Sequence, residues 1–145
     1  MNVRVMAAAL FLATGCRTAE IDRIGFEVVT ACARDQEAGD RVFRSQEEWD
    51  AVFRRGTDVR PPFATHMVAS HFDGGGSSCV AFTVEDVLVV QDELRVYATR
   101  HVYDGPCILI LAFPQVHVQV PQRDLPLRYE IRERRTTERV ARACI

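Results

Sequence analysis

The side chains here that could do chemistry are four histidines, five cysteines, the adjacent carboxylates Glu85 and Asp86, and one run of glycines. His66 and His71 are an odd number of positions apart, so a regular strand turns them to opposite faces. That leaves His101 and His117 as the pair to test for a metal. HxH, HExxH and CxxC do not occur, and with them go the spacings that set zinc ligands together. Glu85 and Asp86 are neighbours, and on a strand they face opposite ways and cannot share a proton. A GxSxG nucleophile elbow is missing. The loop from Asp73 through Gly74, Gly75 and Gly76 to Ser78 could offer backbone N–H groups to an anion. No GK[ST] follows it, and the next element reads as a strand, so no helix N-terminus stands behind the loop to hold phosphate. The sequence therefore predicts a protein that is not an enzyme and holds no metal and no cofactor.

The cysteines carry more. Residues 1–15 have a short positive start at Arg4, an apolar run from Val5 to Leu12 too short to span a bilayer, and small residues at Ala13-Thr14-Gly15. That pattern predicts a signal peptide cleaved before Cys16. ATGC looks like a bacterial lipobox, whose cysteine is lipidated, although Ala13 stands where leucine is commonest. Several acyl chains at about 0.8 kcal/mol per buried methylene would anchor the protein stably. Arg17, where an aspartate would retain a lipoprotein at the inner membrane by enterobacterial sorting rules, points to the outer membrane of a bacterial cell envelope. With Cys16 lipidated, Cys32, Cys79, Cys107 and Cys144 remain, an even set suited to disulfides in an oxidising space. Three connectivities are open, and one or two of these cysteines could instead be buried thiols. The favoured pairs are Cys79 with Cys107 and Cys32 with Cys144. A turn near Gln91 brings Cys79 to the end of the sheet where Cys107 lies, provided one of the two sits in a loop or the sheet curls.

The elements that must position these residues centre on the stretch from Cys79 to Val120. Its three apolar, β-branched runs are separated by Gln91-Asp92-Glu93 and Asp104-Gly105-Pro106, which predicts an antiparallel meander. In the second run, Leu94, Val96, Ala98 and Val102 fall on a buried face; Arg95, Tyr97, Thr99 and His101 fall on a wet one. Val116, Val118 and Val120 alternate in the same way with Gln115, His117 and Gln119. Ile108 to Phe113 is apolar on both faces and reads as the central strand, with Pro114 marking a bulge or a bend between sheets.

Upstream, residues 16–23 read as a tether, and residues 24–145 as a single β-rich domain whose first strand runs from Ile24 to Cys32. Arg34 to Arg41 reads as a charged turn. Ser45 to Phe53 is the clearest helix, with Ser45 and Glu48 as a capping box and Gly56 as its stop. Trp49, Val52 and Phe53 share its apolar face, so Trp49 is read as packing and not as a ligand platform. Thr65 to Phe72 and Leu127 to Arg132 read as further strands, and Arg134 to Ile145 as a surface tail.

At 145 residues, 48% hydrophobic and 26% charged, the chain has room for one core. All 18 cationic side chains are arginine, and the net charge of −2 speaks against nucleic acid as a partner, which needs a concentrated basic field.

The order of helix with tryptophan (SQEEWDAVF), extended segment with phenylalanine (PPFATHMVAS), glycine loop, paired long strands and a proline-ended strand (ILILAFPQVHVQVP) resembles the PrcB C-terminal domain family. The resemblance spans roughly residues 40–130; the double proline before Phe63 and the cysteines are departures. It implies a small β-rich domain with one helix, in a lipoprotein that binds and stabilises a surface protease, and it carries no catalytic residues. The expected fold is thus mainly β, an antiparallel sandwich or open barrel capped by one short helix. The expected partners are a membrane, through the lipid anchor, and a protease or other envelope protein. Two other readings stay open: a periplasmic carrier with a cavity between its sheets, and a hydrolase, which a close Ser–His or Cys–His pair would revive.

Overall fold

The computed structural model describes residues 20–53, 59–77, 79–107 and 111–138. It is a β-sandwich with one short helix and no closed barrel. The elements are β1 (Ile21–Arg23), β2 (Glu27–Val28), β3 (Gly39–Phe43), α1 (Gln46–Phe53), β4 (His66–Phe72), β5 (Gly76–Ser77), β6 (Val80–Val90), β7 (Glu93–Tyr103), β8 (Leu111–Ala112), β9 (Gln115–Pro121) and β10 (Leu127–Thr136). One sheet has the order β1-β6-β7-β10, the other β2-β9-β4-β3, and β5 and β8 form a small ribbon. All pairs are antiparallel except β7 with β10, which run parallel over ten residues.

The β6–β7 hairpin forms as the alternation predicts. Gln91 and Asp92 both have positive φ, 51° and 59°, the geometry of a type I′ turn whose twist matches the strands. The meander expected beyond it does not form. After β7 the chain leaves that sheet, and β9 pairs with β4 and β2 in the other. Leu111–Ala112 belongs to the ribbon with Gly76–Ser77, not to a central strand, and Ile108–Ile110 lie outside the described residues. Pro114 sits at the crossing between sheets, where its carbonyl accepts the N–H of Asp73.

Four further expectations are corrected. The tether residues Ile21–Arg23 form an edge strand on β6. The first strand shrinks to Glu27–Val28. Part of the charged turn, Gly39–Arg41, belongs to β3. The last strand runs on through Arg134 to Thr136 before the tail begins. In each case pairing with a distant strand overrides weak local alternation.

Two cores share the second sheet. Between the sheets pack Met67, Ala69, Val87, Leu94, Val96, Val118 and Val120. On the opposite face of that sheet, Phe43, Trp49, Phe53, Val68 and Phe72 pack with Val29, Ala31 and Ala33. Helix α1 lies there because Trp49 and Phe53 share one side. Trp49 and Phe53 stack at 3.9 Å, and Phe43 meets Trp49 edge-on at 5.4 Å. Burying each such side chain contributes about 1.5–3 kcal/mol. Ser45 Oγ accepts the N–H of Glu48, while the Glu48 carboxylate reaches one residue past the cap to the N–H of Arg44. Arg54, Arg55 and Gly56, the expected end of the helix, lie outside the described residues.

Cys79, just before β6, and Cys107, in the loop after β7, are joined by a disulfide with a Cα–Cα distance of 6.0 Å. Both stand beyond the ends of the paired strands, which brings them within reach although Cys107 has left the sheet. Cys32 is disulfide-bonded as well. Its expected partner, Cys144, lies outside the described residues, as does Cys16.

Candidate functional site

Three places bring polar side chains together. The first lies under α1. Gln115 and His117, expected on a wet face, are 5% and 2% exposed because the helix and the segment Val29–Ala33 cover that side of β9. His117 pairs with Ser70 across the β4–β9 ladder, with Nδ1 and Oγ 2.7 Å apart. Its Nε2 lies 3.1 Å from the Ala31 carbonyl, which only accepts, so the proton belongs on Nε2 and Ser70 donates to Nδ1. Gln115 fastens the same segment: Oε1 accepts the N–H of Ala33, and Nε2 donates to the carbonyls of Ala33 and Phe113. Phe53, Phe72 and Trp49 pack edge-on around the imidazole at 5.1, 5.5 and 6.1 Å. Burial pushes the His117 pKa down to about 4, against a smaller opposing effect from the Ala31 carbonyl.

This is the close Ser–His pair that a hydrolase would need, but Ser70 is 0% exposed and no substrate carbonyl can reach its Oγ. The pair serves to satisfy buried polar atoms in an aromatic layer. His101, the other half of the candidate metal pair, is on the outer face of the first sheet bonded to Thr83, with the whole sandwich between it and His117. Among the described residues no group of three or more acidic, histidine or cysteine side chains could hold a metal.

The second place is the seam where β3 meets β10. Asp40 Oδ1 takes His71 Nδ1 at 2.7 Å, and its Oδ2 accepts the backbone N–H of Tyr129 at 2.9 Å. Asp73 lies 3.8 Å from His71 Nε2 and grips Arg100 through Nε and Nη2, both at 2.9 Å. Arg100 continues to Glu133 at 3.0 Å. The chain of alternating charges thus runs from one sheet to the other, with the His71 ring between Phe82 and Tyr129. Burial of the ring works against its charge, but the carboxylates of Asp73 and Asp40 outweigh it and raise the pKa above 6.5. His71, beside Arg100, holds the Asp73 carboxyl below its ordinary range.

The third place is β10 itself. It is paired with β7 along one side and stands at the edge of its sheet on the other. Since the Tyr129 N–H points to Asp40, the backbone groups of Ile131, Glu133 and Arg135 point the same way, outward from the sheet. Glu85 and Asp86 do not form an acid–base pair. A register shift between Val84 and Asp86 breaks the alternation there. Glu85 bonds Thr99 and Arg132, while Asp86 takes Arg23. The glycine loop turns at Gly74, where φ is +74°, and ends in the β5–β8 ribbon.

Among the described residues, an open polar basin of about 330 Å³ lies over Asp104, Arg134 and Glu138. The cleft between the sheets, beside Val80, Phe82 and Val116, holds about 50 Å³, well below the roughly 300–1,000 Å³ of a small-molecule site. An open basin of about 250 Å³ lies over Glu85, Tyr97 and Arg132.

Nothing in the sequence marked the seam, whose members come from β3, β4 and the loop after it, β7 and β10. Compared with protein-family models, curated proteins and solved structures, the chain matches none.

Proposed function

We propose that this protein is an exported, lipid-anchored binding domain of the bacterial cell envelope that docks another protein on the open edge of β10. In the narrower form of this reading it supports or restrains a secreted protease, as the resemblance to the PrcB C-terminal domain family implies. One observation carries the proposal: among the described residues apolar side chains pack between the sheets, while the ten-residue strand β10 has no strand paired along its outer side. Unpaired N–H and C=O groups accept an incoming strand, and their hydrogen bonds supply affinity without a pocket. Among the described residues the cleft between the sheets holds only about 50 Å³, which favours a binding edge over a carrier. The disulfides at Cys79–Cys107 and at Cys32 favour an oxidising compartment, in line with Cys16 as the lipid-bearing residue.

Two experiments test this. A photo-crosslinking amino acid at Arg135 should trap a discrete partner in intact cells, and the same group at Glu47 on the helix surface should not. Equal trapping from both positions, or none from β10, overturns the docking edge. A protease in the trapped band supports the narrower reading. Cys16→Ser should move the protein from the membrane fraction to the soluble one and remove the acyl mass; a variant still bound to membrane refutes the anchor.

A further inference from the structure

The edge of β10 is not uniform. Of its outward N–H groups, that of Tyr129 is occupied by the Asp40 carboxylate, which stands where a partner's carbonyl would otherwise lie. The open part therefore begins at Ile131 and runs to Arg135. Over the same span the side chains are uneven in charge. Arg128 is paired with Glu130, Arg132 with Glu85 and Arg135 with Asp104, whereas Arg134 is exposed and has no carboxylate partner among the described residues. Arg134 lies on the same face as Arg132, two residues away, so an added strand would place one side chain across from each.

A second copy of this chain does not suit the position. A symmetric antiparallel pair centred on Ile131 sets Arg128 against Arg134, and one centred on Glu133 sets Arg132 against Arg134. A centre at Arg134 opposes that arginine to itself, and a centre at Arg132 opposes Arg132 to itself while setting Glu130, already paired with Arg128, across from Arg134. Like charges directly opposite are destabilising, so three of the four registers set Arg134 against an arginine, and the fourth would draw Glu130 away from Arg128.

Resting on the docking edge proposed above, we infer that the partner is an extended segment of a different protein, paired with Ile131 to Arg135 and carrying a carboxylate across from Arg134. Asp40 acts as the stop that sets where such a strand begins. The main chain supplies affinity, and the free guanidinium selects the acidic side chain.

The probes are two short peptides, one alternating threonine and glutamate, the other threonine and lysine. Their binding to the full-length protein is followed by peptide fluorescence anisotropy at low ionic strength. The glutamate peptide should bind at least about tenfold more tightly. Its advantage should shrink as salt is added, and N-methylation of alternate amides on its pairing side should abolish binding. Arg134→Glu, an exposed change, should reverse the preference; Arg34→Glu, on an exposed loop away from β10, should leave it. Equal binding of the two peptides, indifference to Arg134→Glu, or a dimer of this chain lost on substitution in β10 overturns the inference. If crosslinking from Arg135 succeeds while the peptides fail to discriminate, the carboxylate selection alone falls. If neither gives a signal, the docking edge falls with it.

Discussion

Replacing His117 by glutamine isolates one buried titration from the rest of the molecule. In the folded protein the ring is held neutral down to a pKa of about 4, against 6.5 in an unfolded chain. At pH 7 the ring is neutral in both states and contributes nothing through its protonation. As the pH falls below 6.5 the unfolded chain takes up a proton that the folded one refuses, so stability declines until about pH 4. At ~1.4 kcal/mol per pH unit the loss is about 3 kcal/mol. The other shifted groups act little over most of this window. His71 is protonated in both states well below 6.5, and Asp73 and Glu85, lowered from ordinary values of 3.8 and 4.5, begin to lose their contributions only at the acid end of the window. His117→Gln should cost about 1–3 kcal/mol at pH 7, from lost edge-on aromatic contacts and an altered bond to Ser70. Its stability should then stay nearly level where the wild type falls, so the two curves converge towards pH 4. Urea unfolding is read from the fluorescence of the single tryptophan, Trp49, which lies 6.1 Å from the imidazole. Parallel curves for the two proteins, or an NMR titration of His117 with a midpoint near 6.5, would refute the reasoning.

The seam titrates in the opposite sense. Because the His71 pKa is raised, its contribution is complete below pH 6.5 and is lost as the pH climbs through the folded value. Thermal unfolding should show an alkaline decline that His71→Asn removes; a decline unchanged in the variant would exclude His71 as its source. Replacing Cys79 and Cys107 together by serine opens a loop with a sequence separation of 28. The change should cost about 3.5 kcal/mol on chain-entropy grounds. Equal urea midpoints for the two forms would show that the bridge constrains nothing the sheet does not already hold.

The parts of the fold that were legible were those whose local pattern matched their surroundings. Strands β6 and β7 alternate cleanly and meet at a two-residue turn, and α1 carries its own cap and apolar stripe. What failed to read was partner choice. The run after Cys107 looks like the next strand of a meander because neighbours in sequence usually pair, but which sheet receives β9 is decided by packing against β4. His117 and Gln115 read as wet because they are polar. They are buried because Ser70, Ala31 and Ala33 satisfy each of their polar atoms, and a pattern of polar and apolar letters does not record partners 47 to 86 positions away. The charged end of β10 read as a tail for a related reason: arginine and glutamate protect an edge strand from stray pairing and also mark a solvated segment. Which strand carries the open edge was not legible.

The parallel course of β10 bears on how the molecule is assembled. Hairpin partners such as β6 and β7 can zip as soon as both have been synthesised, but β10 must wait until the chain has built most of the opposite sheet and come back. Until it arrives, the flank of β7 stands bare from Leu94 to Tyr103. Such late, long-range closure slows folding and leaves a sticky intermediate. A nascent chain of this kind gains from a chaperone or from slow delivery, and its vulnerable period ends only when the arginine-rich strand drops into place.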